Sequence, residues 1–80
     1  MPFYTYILES QIDGSFYIGY TANLDQRLIY HNSGRGRYTR KKMPWDLVYQ
    51  EEFQTKREAL QRERYLKRMK SHAFLKDLIS

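Results

Sequence analysis

Hydrophobic and polar positions alternate with a period of two in three places along the chain, the signature of strands. From Phe3 to Ser10, Tyr4, Tyr6 and Leu8 fall on one face and Phe3, Thr5 and Ile7 on the other. Both faces are largely apolar or aromatic, which predicts a strand covered on both sides. Gln11-Ile12-Asp13-Gly14 interrupts the alternation, and its Asp-Gly pair is a hairpin signal. Ser15 to Tyr20 returns as the second strand, with Phe16, Ile18 and Tyr20 on one face and Tyr17 and Gly19 on the other. A glycine inside a strand weakens it unless something approaches the backbone closely. The third strand runs from Trp45 to about Phe53, opened by Met43-Pro44. In it Trp45, Leu47, Tyr49 and Glu51 alternate with Asp46, Val48, Gln50 and Glu52.

Between and after these strands the period changes to that of helices. Asn23-Leu24-Asp25-Gln26 has the form of a capping box, and Asp25 suits the positive end of the helix dipole. The predicted helix runs to about Asn32, where Ser33-Gly34 stops it. Leu24, Leu28 and His31 form one stripe with Arg27 at its edge. A guanidinium and an imidazole turned towards an apolar side must find partners or water there. Thr55-Lys56-Arg57-Glu58 is a second capping box, which gives Glu58 a structural task. The helix after it reads to about Lys70. Ala59, Leu60 and Leu66 share an arc, and Glu63 falls inside it; a carboxylate there needs a cation or a metal. Arg62, Arg64, Lys67 and Arg68 cover much of the rest as a solvated face. Ser71 opens a short last helix with Ala73, Phe74, Leu75, Leu78 and Ile79 as its apolar contacts. His72 in its first turn reads as an ordinary surface residue.

Eighty residues suit one small domain, 1–80, that buries roughly 60–65% of its surface on folding. Without cysteine there is no disulfide and no thiolate zinc site. No apolar run approaches a membrane span and no signal pattern opens the chain, so a cytoplasmic protein is expected. The formal charge of +5 is unevenly placed, because every Lys and Arg except Arg27 lies beyond Gly34. A basic half favours polyphosphate partners. Its densest part is the loop 34–42, where Arg35, Arg37, Arg40, Lys41 and Lys42 surround Tyr38. Gly34 and Gly36 predict a mobile backbone, and the charges with Tyr38 fit contact with a phosphate backbone. A flexible solvated loop is the alternative.

Three unusual placements accumulate: Tyr17 with Gly19, Arg27 with His31, and Glu63. In order and spacing they resemble the GIY-YIG nuclease superfamily, and in particular its small stand-alone bacterial members. The second half-motif stands intact as Tyr17-Ile18-Gly19. The first is matched by Tyr4-Thr5-Tyr6, with its glycine and isoleucine replaced. Arg27, then His31-Asn32-Ser33-Gly34, then the late helical Glu63 complete the match, which spans about Phe3 to Lys70. The resemblance implies an α+β fold, three antiparallel strands packed with helices in the order β-β-α-β-α. The element reading gives that order independently and adds the short C-terminal helix.

The same resemblance implies metal-assisted hydrolysis of a DNA phosphodiester, in DNA repair or processing. Glu63 would hold one divalent ion, Mg2+ or Mn2+, and a single carboxylate suffices for an ion that keeps most of its waters. Arg27 would neutralise charge on the phosphoryl oxygens. The base is expected from Tyr17 and His31 together, with Tyr6 orienting water or phosphate. Ionising an ordinary tyrosine at pH 7 costs roughly 4 kcal/mol, whereas an ordinary histidine is already mostly neutral. Gly19, Asn32, Arg35, Arg37, Tyr38, Arg40, Lys41 and Lys42 are the candidate DNA contacts, and RNA is a possible substitute. All five catalytic and metal candidates are expected to line one cleft. Rival readings are a nucleic-acid-binding module that does not cut and is delivered by a protein partner, and a protein-interaction domain whose basic helix meets an acidic partner.

Overall fold

The computed structural model describes residues 1–69 and 71–80. Helices α1 (Leu24–Asn32), α2 (Lys56–Met69) and α3 (His72–Ile79) and strands β1 (Phe3–Ser10), β2 (Phe16–Thr21) and β3 (Trp45–Phe53) follow one another as β1-β2-α1-β3-α2-α3, and the strands pair edge to edge. They form one antiparallel sheet in the order β2-β1-β3. The expected order β-β-α-β-α with a short last helix is therefore the observed one. The expected end of the second long helix, Lys70, lies outside the described residues.

The strand with two apolar faces takes the centre of the sheet. Tyr6, Ile7 and Leu8 are each 1% exposed or less. Tyr6 and Leu8 pack with Trp45 against Tyr17, Leu24, Leu28 and Leu47, so α1 covers that face. Ile7 packs with Ile18, Leu66 and Leu75 on the opposite face, under α2 and α3. Each such side chain removed from water contributes about 1.5–3 kcal/mol, the main driving force in a chain this short. Thr5, also fully buried, donates from Oγ1 to the Ala59 carbonyl at 2.7 Å and pins α2 to β1.

Strand β3 departs from simple alternation. Ile7 pairs with Tyr49 but Leu8 pairs with Leu47, so Val48 is an extra residue at a β-bulge. The bulge swaps faces. Trp45 and Leu47 join the α1 side, whereas Tyr49 joins the α2 side. Glu51, opposite Thr5, there receives Arg62 Nε at 2.9 Å. A single face for Trp45, Leu47, Tyr49 and Glu51 is thus corrected.

The chain punctuation behaves as its chemistry requires. Gly14 and Gly34 adopt φ of 74° and 84°, in the hairpin turn and just past α1. Glu58 N donates to Thr55 Oγ1 and Thr55 N donates to Glu58 Oε1, both at 3.2 Å, a complete capping box. At α1 only half of the box forms: Asn23 Oδ1 accepts from Gln26 N, but Asn23 N donates to Thr21 Oγ1 instead. His72, expected to be plain surface, stacks on Phe16 at 4.6 Å and reaches the Gly14 carbonyl at 3.3 Å. It docks α3 onto the hairpin.

Leu66 joins the long second helix to the central strand, so Leu66→Ala is expected to destabilise the protein by about 2–5 kcal/mol. A urea denaturation series checks this; a loss below the range would mean that α2 is held mainly by its polar contacts.

Candidate functional site

Tyr6 and Gly19 face each other across the β1–β2 ladder. The Tyr6 ring leans over Gly19 so closely that a Cβ added there would meet Tyr6 Oη at 2.5 Å and Cζ at 2.7 Å. The glycine inside β2 is explained by this clearance. Crossing it brings the Tyr6 hydroxyl to 3.1 Å from His31 Nε2, and His31 Nδ1 lies 3.1 Å from Thr39 Oγ1. The Thr39 carbonyl in turn accepts from Trp45 Nε1 at 2.9 Å. Tyr17 packs beside this chain, its ring centre 4.7 Å from that of His31 and 6.4 Å from that of Tyr6.

Burial sets the charge states. The Tyr6 hydroxyl is pushed up to about 12, mainly by desolvation, with the neighbouring Arg27 guanidinium pulling it part of the way back. Tyr17 and the Glu63 carboxylate add to the upward push. His31 is 2% exposed and is lowered to about 4, by burial first and then by Arg27. It is therefore neutral at pH 7, with both ring nitrogens engaged. Arg27 stacks over the Tyr30 ring at 4.7 Å, and its Nε is buried with no hydrogen-bond partner among the described residues. The two polar groups expected on the apolar side of α1 are thus partnered unequally. His31 is saturated, and Arg27 keeps a donor free.

Glu63 lies on α2, the helix of the opposite face, between the fully buried Ala59 and Leu66. Its carboxylate meets Lys67 Nζ at 3.5 Å, a loose pair one helical turn away. Lys67 lines a cavity that Tyr17 also lines. Glu63 thus reaches the site through its field on Tyr6 and through Lys67. Tyr17 borders two cavities, and Arg27 borders a separate hollow with Tyr30 and Arg35, so the expected single cleft is divided among the described residues. Among the described residues no three His, Asp or Glu side chains gather as a metal cage. The donor set that fits a hard divalent ion is one carboxylate, Glu63.

The basic loop is closed by hydrogen bonds of its own and one from β1. Arg40 N donates to the Gly36 carbonyl and Lys42 N to the Thr39 carbonyl. Ser10 Oγ donates to the Lys42 carbonyl at 2.6 Å. At Gly36 a Cβ would overlap Thr39 Oγ1, so this glycine also provides clearance. Arg35, Arg37, Tyr38, Arg40 and Lys41 are exposed. Lys42 instead pairs with Asp13 at 3.1 Å. Asn32 is committed too: its Oδ1 accepts from Trp45 N at 2.6 Å and its Nδ2 donates to the Trp45 carbonyl at 3.1 Å. Thr39 was not among the residues singled out by sequence; the one signal for it was a glycine three positions before.

A family model described as the GIY-YIG catalytic domain matches residues 2–75. The chain belongs to the GIY-YIG family. A UPF0213 protein of Streptococcus pneumoniae serotype 4 is 50% identical over 68 residues, 84% of this chain and 68% of its own length. A UPF0213 protein of Streptococcus agalactiae serotype V is 42% identical over 76 residues, 94% of this chain and 85% of its own. The solution NMR structure of a UPF0213 protein from Bacillus halodurans is similar, with 41% identity and a TM-score of 0.59. That match covers 99% of this chain and 83% of the other. The expected kinship with small bacterial GIY-YIG proteins of the nuclease superfamily therefore holds. Among the described residues no helix is long and apolar enough to cross a membrane.

Two outcomes test this arrangement of the GIY-YIG site. Gly19→Ala is expected to cost about 1–3 kcal/mol by overpacking, and most of that cost should vanish when Tyr6→Leu is already present. A double-mutant cycle by urea denaturation measures the coupling; additive effects would mean that Gly19 does not make room for Tyr6. His31 has a folded value below its unfolded one, so its contribution is full above pH 6.5 and fades as pH falls towards 4. Wild-type stability should drop across that window by on the order of 2 kcal/mol, after allowance for solvent screening. His31→Gln should lose much of that drop, and an identical pH profile for the variant would contradict the buried neutral imidazole.

Proposed function

We propose that this GIY-YIG protein is a metal-dependent endonuclease that hydrolyses DNA phosphodiesters. The observation that carries the reading is Arg27. Its half-buried guanidinium lies beside the Tyr6 hydroxyl and borders an open hollow with Arg35, where a phosphoryl oxygen can meet two cations. Membership of a nuclease superfamily and the strongly basic second half of the chain support it.

The roles divide by environment. Tyr17 borders open cavities, so it orients the attacking water and, after giving its own proton to bulk water, accepts the proton that the attacking water releases. Tyr6, held near 12, stays protonated and positions the Arg27 guanidinium. His31 is better suited to hold the Tyr6 hydroxyl than to act on water, since both of its nitrogens are engaged. This moves it from the shared base of the sequence reading to a positioning residue. Arg27 neutralises the phosphoryl oxygens. Glu63 is the residue that would hold a magnesium or manganese ion, and such an ion supplies Lewis-acid stabilisation of the leaving oxygen. Arg35, Arg37, Tyr38, Arg40 and Lys41 present the contacts to the strand, while Lys42 and Asn32 serve the framework around them.

Purified protein is expected to nick or cut DNA in magnesium or manganese. Glu63→Gln and Arg27→Ala should each lower the rate by about 100-fold or more, with unchanged circular dichroism. Tyr17→Phe should lower it comparably. Undiminished cleavage by either charge variant would overturn the site, and tight binding without cleavage by the wild type would favour a binding module.

A further inference from the structure

Tyr17 borders two separate cavities. One, of about 310 Å³, lies towards the basic loop and is lined also by Phe16, Tyr38, Thr39, Lys42 and Trp45. The other, of about 510 Å³, lies towards α2 and α3 and is lined also by Phe16, Leu66, Lys67, His72 and Leu75. Both are within the size range of small-molecule pockets. Each combines aromatic surface with one lysine. Phe16 and His72 are stacked with an interplanar angle of 22°, forming a two-ring surface at the second cavity. At the first, Tyr38 is 87% exposed. A large aromatic held in water by a tethered loop contributes little to the core.

The geometry points to these two cavities as nucleobase subsites on either side of the scissile phosphate, and hence to an unpaired DNA strand as the substrate. The inference rests on the nuclease reading and names the substrate class for that same site. Aromatic faces accept bases of any sequence by stacking, and neighbouring cations meet the backbone charge. Both cavities adjoin Tyr17, so a strand crossing it would carry a base to each side. In a duplex those base faces are occupied by their stacked neighbours and must be extruded first. An apolar small molecule would have no use for the cation beside each cavity. Lys42 and Lys67 are paired with Asp13 and Glu63, so the strand polyanion is matched by the exposed Arg37, Arg40 and Lys41 that flank Tyr38 and Thr39, and by Arg64 and Arg68 beside Lys67.

The test is binding by fluorescence anisotropy in EDTA, so that no cleavage enters the readout. The probes are a labelled DNA single strand, the same strand with an abasic stretch at its centre, and a blunt duplex. The intact single strand should bind about tenfold or more tightly than either of the others at the same salt concentration. Tyr38→Ala, at an exposed position, should weaken single-strand binding about tenfold, leave the abasic strand unchanged, and be rescued by Tyr38→Phe. Equal affinity for the abasic strand, a preference for the duplex, or an unaffected Tyr38→Ala protein would overturn the proposal. Failure of the nuclease reading would look different: the binding preferences would stand, and no cleavage would follow when magnesium is added.

Discussion

The hydrogen bond between the Tyr6 hydroxyl and His31 Nε2 is the joint on which the rest of the structure depends. It joins the central strand to α1, and through Thr39 and Trp45 it reaches the basic loop and β3. The direction of its protons follows from its neighbours. A neutral imidazole has one acceptor and one donor. The Arg27 cation beside Tyr6 favours an arrangement in which the phenol oxygen faces the guanidinium and the phenol proton goes to Nε2. His31 then donates from Nδ1 to Thr39. A buried polar chain of this kind helps the fold only when each member is satisfied, because an orphaned group costs more than the bond contributes. Gly19 and Gly36 are the two positions where the chain makes room for it.

The same joint separates the two tyrosines chemically. They stand 6.4 Å apart on adjacent strands, yet only Tyr6 is sealed from water. Sealing raises its hydroxyl and keeps it a donor, while Tyr17 retains access to the cavities on either side. Lowering His31 to about 4 removes a competing positive charge from the site. Arg27 is left as the cation at the Tyr6–Tyr17 surface. Glu63 approaches from the other side of the sheet, with α2 packed across β1 and β2. Opposite charges thus approach the tyrosines from separate helices, α1 and α2.

Much of the fold was legible because its signals were local. The two-faced apolar strand Phe3–Ser10 declared itself covered on both sides, and the Thr55–Glu58 box marked its helix start. The position of Glu63 between Ala59 and Leu66 was visible from the helical period alone. The bulge at Val48 was not, because Leu47, Val48 and Tyr49 are all apolar and either register buries one of them. The roles of Asn32, Thr39 and His72 were hidden for a different reason. Each acts on a partner elsewhere in the fold: Trp45, His31 and Phe16 respectively. Composition cannot reveal which polar side chain will be used for framework and which left for a ligand. For Arg27 and His31 the sequence showed only that both were misplaced; burial decided that one was saturated and the other free.

The basic loop shows how glycine can be misread. Two glycines among five cations look like a flexible arm, since glycine lowers the cost of many backbone conformations. In the structure Gly36 is small because Thr39 Oγ1 occupies the space a side chain would need, and Gly34 supplies the positive φ that ends α1. Both glycines therefore permit this path, and the hydrogen bonds of Arg40, Lys42 and Ser10 hold it. A loop held in this way loses less conformational entropy when it meets a partner than a mobile one does. Its outward charges and Tyr38 are arranged before any strand arrives. Thr39 meets His31 Nδ1 with its hydroxyl and accepts from Lys42 N and Trp45 Nε1 with its carbonyl, so a change at Thr39 should be felt in both the tyrosine site and the charged loop.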